Sequence, residues 1–170
     1  MPKKKAVITT SLVLALAALI PASALAKAGG TDRPVKGTTS GTATGTLTSP
    51  LAITIDLTGV ATHLGKYSVH VDAIGAISGG EVVGDGTFTV VAASGDQVTG
   101  TTTFTAPLPT GNVHTTTAFL MITGGTGRFA DASGTITSPN LETPICFAEP
   151  SCPGLIINGL EGKLTGQISY

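Results

Sequence analysis

The sequence predicts an all-β domain, closed as a barrel or stacked as a sandwich, and three observations predict it. From Gly37 onward, short β-prone runs are punctuated by Gly, Asp, Asn and Pro. Two of those runs alternate large apolar with small or polar residues, the period of a strand with one buried face. No stretch after residue 26 sustains a helical period. The composition agrees: 41% hydrophobic residues can bury a core, and Gly 23 with Pro 10 supplies turns without reaching the share that marks disorder. Charge is sparse and balanced, with 9 Lys+Arg against 10 Asp+Glu and 11% charged residues in all. Without a basic stripe to hold phosphates, nucleic acid is excluded as a partner.

Taken in order, the first segment reads as an export signal. Lys3-Lys4-Lys5 forms a positive n-region, residues 6–20 are apolar, and Pro21 precedes Ala24-Leu25-Ala26, a small-residue cleavage site. An uncleaved anchor is the competing reading, since residues 6–26 nearly have the length to cross a bilayer. Pro21 and the A-x-A end favour cleavage, and no Cys follows to carry a lipid. Residues 1–26 are therefore assigned to a signal peptide, 27–36 (with Gly29, Gly30 and Pro34) to a flexible leader, and 37–170 to a single β domain. The expected location is secreted, extracellular or periplasmic, with no membrane attachment once the signal is removed.

The run 51–58 places Leu51, Ile53, Ile55 and Leu57 against Ala52, Thr54, Asp56 and Thr58, and 67–73 repeats the pattern with Tyr67, Val69, Val71 and Ala73. Odd positions should face the core in both. The run 87–91 leads through the turn cluster Ser94-Gly95-Asp96-Gln97 to a Thr-rich run at 98–106, a hairpin signal. A further strand is expected at 112–123 and a short one at 133–138. Residues 156–170 supply a last strand, or a pair separated by Asn158-Gly159. Roughly seven to nine short strands at this spacing close as a barrel or pair as a sandwich, and periodicity does not separate the two.

The two cysteines, Cys146 and Cys152, stand in Cys-Phe-Ala-Glu-Pro-Ser-Cys. In an oxidising compartment the simplest reading is a disulfide, worth roughly 2 kcal/mol for so short a loop. A structural metal site would need two more matching ligands, and a redox dithiol usually has two intervening residues where this chain has five.

The segment Gly124-Gly125-Thr126-Gly127-Arg128-Phe129-Ala130-Asp131-Ala132-Ser133-Gly134 resembles the Gly-Gly-Thr-Gly-Arg-Phe-x-x-Ala-x-Gly turn of dirigent proteins. Related forms occur in allene oxide cyclases and in bacterial secreted proteins with an allene-oxide-cyclase-like barrel. Thr62-His63-Leu64-Gly65-Lys66-Tyr67 likewise resembles a stretch common in such bacterial proteins. The clear match covers about twenty residues. The resemblance implies a single closed antiparallel β-barrel of about eight strands, with a mostly apolar interior. In the plant enzymes that interior guides cyclisation of an oxylipin, and in dirigent proteins it steers radical coupling. Related barrels include trimers, so the resemblance admits a homo-oligomer. Outside the Gly motif no position matches a catalytic motif of the family.

The residues of that motif have a physical reading of their own. The glycines Gly124, Gly125 and Gly127 let the chain leave a strand through positive φ, after which Phe129 can fold back to plug a barrel end. Arg128 is placed to bond strand-end carbonyls or a carboxylate. A phosphate-cradling loop would need a following Lys-Ser/Thr and a helix, and neither follows.

Sites for chemistry are few. His63 is expected to cap a turn beside Gly65. His70 and Asp72 share one strand face opposite Val69 and Val71: facing inward they would make a His–carboxylate relay or metal ligands, facing outward a solvated pair, which is the simpler reading. His114, among Thr115, Thr116 and Thr117, carries the same ambiguity. No spacing demands a zinc site from the three histidines, so no metal or cofactor is expected. Asp56, Asp72, Glu81, Asp85 and Asp131 are scattered, and no Gly-x-Ser-x-Gly elbow occurs. Thr runs at 42–48 and 101–105 would form hydroxyl ladders on one strand face. Ice-binding surfaces use such ladders on solenoid repeats, but no repeat is present here, and ordinary cross-strand pairing explains them.

The expected function is binding of a small apolar ligand in the barrel interior, lined by Ile53, Ile55, Val69, Val71 and Phe88. Two alternatives stand beside it. A cyclase- or isomerase-like enzyme would show an inward carboxylate or His with a displaced pKa, and a surface interaction or structural protein would show an exposed apolar patch.

Overall fold

Alternating runs bury one face only if the sheet curls onto it, and in the computed structural model it curls until it closes. The structure describes residues 30–46, 50–108, 113–149 and 152–170, with the side chains of 145–149 and 152–153 excepted. Eight strands follow one another: β1 Arg33–Thr46, β2 Leu51–Ala61, β3 Gly65–Ser78, β4 Glu81–Ala92, β5 Gln97–Pro107, β6 His114–Gly125, β7 Ser133–Glu149 and β8 Cys152–Ser169. Each pairs antiparallel with the next and β8 returns to β1, forming a closed barrel and not a sandwich. Closure leaves no sheet edge open among these strands.

In β2 and β3 the odd positions face inward, with Leu51, Ile53, Tyr67, Val69, Val71 and Ala73 buried. Their even neighbours Asp56, His70 and Asp72 are exposed. The turn cluster at 93–96 joins β4 to β5, with Gly95 at φ 86°. The threonine runs split as strand geometry requires. Thr42, Thr44, Thr46, Thr101, Thr103 and Thr105 are exposed, whereas Ala43 and Thr102 are buried.

Several boundaries differ from the sequence expectation. β1 starts at Arg33, so residues 33–36 of the expected leader belong to the barrel; Val35 is 1% exposed and pairs with Gly166 of β8. β7 runs far beyond the short strand expected at 133–138. Asn158-Gly159 is a bulge inside β8 and not a turn between two strands. β1 steps from Gly41 to Ala43 while β8 steps from Leu160 to Ile157, the extra residue that bends and twists a strand in place. The expected signal peptide at 1–26 lies outside the described residues, as do the side chains of Cys146 and Cys152.

The bore is narrow, and glycines inside strands make room for rings. A Cβ on Gly59 would stand 2.6 Å from the Tyr67 hydroxyl, and one on Gly84 would run into the Phe104 ring. Both glycines pair in register with the residue whose ring covers them.

One end of the barrel is stopped by the β6–β7 connection. Gly127, at φ 57°, opens a single 3-10 turn, Gly127–Phe129, that drops Phe129 into the core at 0% exposure. Phe129 packs edge-on against Tyr170, with ring centroids 4.8 Å apart. Arg128 lies over the Phe129 ring at 4.7 Å, donates from Nη2 to the His63 carbonyl at 2.6 Å, and places Nε 3.6 Å from Asp96 Oδ2. The Gln97 amide donates to Thr126 Oγ1 at 3.0 Å, so the β2–β3, β4–β5 and β6–β7 turns are tied to one another at this end.

Candidate functional site

The inward positions enclose a cavity of about 110 Å³. Ile53, Ile55, Val69, Val71 and Phe88 all border it, from the wall made by β2, β3 and β4. Across the ring, β6 and β7 contribute His114, Thr116, Ser138, Asn140 and Glu142. The same two strands also contribute Ala118, Leu120, Ile122 and Ile136, so the cavity is apolar nearly all round, with its polar side chains gathered mainly at one part of β6–β7. Among the described residues no Lys or Arg lines it.

The polar group is built from cross-strand partners. His114 stands opposite Glu142, Thr116 opposite Asn140 and Ala118 opposite Ser138. His114 Nε2 lies 3.1 Å from Glu142 Oε2, with the side chains 12% and 8% exposed. Ser138 donates its hydroxyl to Asn140 Oδ1 at 2.7 Å. That carboxamide occupies space left by Gly162 of β8, where a Cβ would run into it. The Thr116 hydroxyl is buried and makes no hydrogen bond to a described group. Thr39 and Thr102 add inward hydroxyls from β1 and β5, each 5% exposed. Tyr67 donates its hydroxyl to the Thr38 carbonyl at 3.0 Å, and burial pushes its pKa up against the opposing Thr39 hydroxyl.

Burial raises the pKa of Glu142 above its ordinary 4.5; the nearby Thr116 hydroxyl and the His114 imidazole oppose the shift without cancelling it. Thr116 therefore acts on the carboxyl by proximity while lacking a formed bond to it. A carboxyl with a raised pKa holds its proton more tightly in the folded chain than in the unfolded one. Its contribution to stability is fully present below the unfolded value and is lost as pH rises through the folded value. Glu142→Gln, which cannot ionise, should therefore gain stability relative to the parent as pH rises from about 4 to about 8. Urea unfolding of both proteins at the two pH values reads this directly, and a difference that stays constant with pH would show that Glu142 is not desolvated.

The three histidines do not form a common site. His63 sits in the 62–64 turn at φ 69°, its ring 6.3 Å from Tyr170 and its carbonyl held by Arg128. His70 is outside the barrel and 52% exposed, with Nδ1 2.7 Å from Asp56 Oδ1 and Nε2 3.3 Å from Asp72 Oδ2. Its hydrogen bond to Asp56 is the main cause of its raised pKa. His114 alone faces the cavity. Asp56, Asp72, Glu81, Asp85 and Asp131 are all exposed. Among the described residues no cluster of three such side chains is placed to hold a metal ion.

Glu142 is the residue that sequence reasoning misses. The signal was present as Ser138, Asn140 and Glu142 at period 2, but the intervening Pro139 and Leu141 look like the buried face and are in fact exposed. Comparison with protein-family models, with curated proteins and with solved structures finds no match for this chain.

Proposed function

We propose that the barrel takes up one small, uncharged and mostly apolar molecule, whose single polar end meets the β6–β7 wall. The observation that carries this is a mostly apolar cavity into which β6 and β7 set a small group of polar side chains, His114, Thr116, Ser138, Asn140 and Glu142, with a buried hydroxyl on Thr116 that no described group satisfies. A buried hydroxyl left unbonded is costly, and a ligand oxygen would relieve that cost. Size follows from the volume: about 110 Å³ is somewhat below the roughly 150 Å³ that holds a benzene ring, so the ligand has at most about six heavy atoms. Charge follows from the lining. A carboxylate would face Glu142 with no Lys or Arg among the described lining residues to balance it, whereas an alcohol or ketone fits the hydroxyls as they stand.

The same reading places the mature chain outside the cytoplasm, following the export signal at 1–26, and draws on the likeness of the Gly-Gly-Thr-Gly-Arg-Phe turn to barrels that guide reactions inside apolar interiors. An enzyme reading of the isomerase kind is favoured by one specific observation, the inward Glu142 with its raised pKa.

Native mass spectrometry of protein recovered from the secreted fraction tests the main reading, first as isolated and then with cyclopentanol, cyclopentane and the equally small carboxylate butanoate added. The expected result is a chain cleaved after Ala26 that carries or takes up one neutral oxygenated molecule and rejects the carboxylate. Six heavy atoms limit the affinity to about micromolar at best. A chain retaining residues 1–26 would overturn the export assignment, and a cleaved chain that takes up none of the three would overturn the ligand assignment.

A further inference from the structure

We propose that the barrel catalyses proton transfer next to a carbonyl, with Glu142 as the base, the Thr116 hydroxyl as the donor to the developing enolate oxygen, and a small neutral ketone as the substrate. The inference rests on the ligand-binding reading and adds a reaction to it.

Enolisation asks three things of a site: a carboxylate near an apolar carbon, a donor aimed at the oxygen that gains charge, and surroundings that keep bulk water away. Glu142 meets the first. Its side chain is 8% exposed, borders the cavity, and is held from one oxygen by His114 Nε2 at 3.1 Å. Thr116 meets the second. It lies on the strand beside Glu142, one inward position along from Glu142's cross-strand partner His114, is 4% exposed, and has a hydroxyl that is close enough to act on the carboxyl yet makes no hydrogen bond to a described group. The apolar wall formed by Ile53, Val71 and Phe88 meets the third. Burial makes Glu142 a stronger base than a solvated carboxylate. The titratable group facing it from β6 is His114, while β8 presents Leu160 and Gly162, which carry no charge.

The step balances with no further reactant. Glu142 takes the proton as the C–H bond breaks, the C–H electron pair becomes a C=C bond, and the carbonyl π pair moves onto the oxygen, which accepts the Thr116 hydrogen bond. Return of the proton to the same carbon regenerates the ketone. In a β,γ-unsaturated ketone, return to the γ carbon shifts the double bond into conjugation. His114, in contact with Glu142 and 12% exposed, links the carboxyl to solvent so that the proton can exchange between the two steps.

The test is the exchange of the α-hydrogens of cyclopentanone for deuterium in buffered D₂O, followed by NMR, with saturation transfer from protein methyl groups to the ketone recorded in the same samples. Expected are saturation transfer and an exchange rate about 10²-fold or more above that given by Glu142→Gln, which should still bind the ketone. Thr116→Val, close to isosteric, should bind and exchange about tenfold or more slowly than the parent. The parental rate in excess of the Glu142→Gln rate should rise with pH and level off once the carboxyl is ionised, a dependence that neither a purely structural Glu142 nor hydroxide-catalysed exchange would produce. Saturation transfer with exchange no faster than for Glu142→Gln overturns the proton-transfer proposal and leaves ligand binding standing. Absence of saturation transfer overturns both.

Discussion

Phe129→Ala is expected to destabilise the barrel by about 3–5 kcal/mol, the range for deleting a fully buried aromatic ring. In a domain of this size that lowers the thermal midpoint by roughly 10 °C. The ring has no exposed surface, packs edge-on against Tyr170 at 4.8 Å and is covered by the Arg128 guanidinium at 4.7 Å. Neighbours that could collapse into the space would soften the loss, but here they are held. The His63 carbonyl is fixed by Arg128, Thr126 is joined to Gln97 through its hydroxyl and its amide, and Asp96 faces Arg128. The cavity should therefore persist, and the end of the barrel should admit water to Leu64 and Ala132. Urea unfolding should show a lower midpoint with an unchanged slope, and Phe129→Leu should recover about half of the loss. A cost below about 1 kcal/mol for the Ala variant would mean that the three tied turns close the end without the ring.

What could be read from the residues was governed by which face of each strand was apolar. β2 and β3 obey the simple rule, and their inward positions, Ile53, Ile55, Val69 and Val71 among them, border the cavity as the alternation places them. β7 inverts the rule. Ser138, Asn140 and Glu142 face inward, where Ser138 bonds Asn140 along the strand and Glu142 meets His114 on the neighbouring β6, and Leu141 is left 51% exposed on the outside. β6 places Phe119 and Met121 outside at 56% and 58% exposure, flanked by Thr101, Thr103, Thr135 and Thr137. No local preference announces such an inversion, since it depends on which partner strand stands opposite. Glycine caused the second misreading. β4 extends N-terminally from the run 87–91 through Gly84 and Gly86, where a ring or backbone passes too close for a side chain, and Gly159 lies inside β8 at a bulge and does not split it. The 3-10 turn was legible because positive φ at Gly127 and burial of Phe129 are both local consequences of Gly-Arg-Phe.

Gly84→Ala is expected to cost about 1–3 kcal/mol, although alanine is the better residue for a strand when nothing else intervenes. The added methyl would fall on the Phe104 ring and lie 2.6 Å from the Ile74 carbonyl, closer than a Cβ can approach either. Of the two, the ring can move. Phe104 borders the cavity, so its displacement converts a packing error on the barrel wall into lost volume at the candidate site. Two measurements separate these consequences. Uptake of cyclopentanol should fall with stability in Gly84→Ala. In Gly84→Ala combined with Phe104→Leu, the smaller side chain should return part of both, with a coupling of about 0.5–3 kcal/mol between the two sites. The Ile74 carbonyl is backbone and stays in place, so the double variant should remain less stable than Phe104→Leu alone. Strict additivity would mean that the ring does not lie over Gly84, and that the bore of this barrel is wider than its glycines imply.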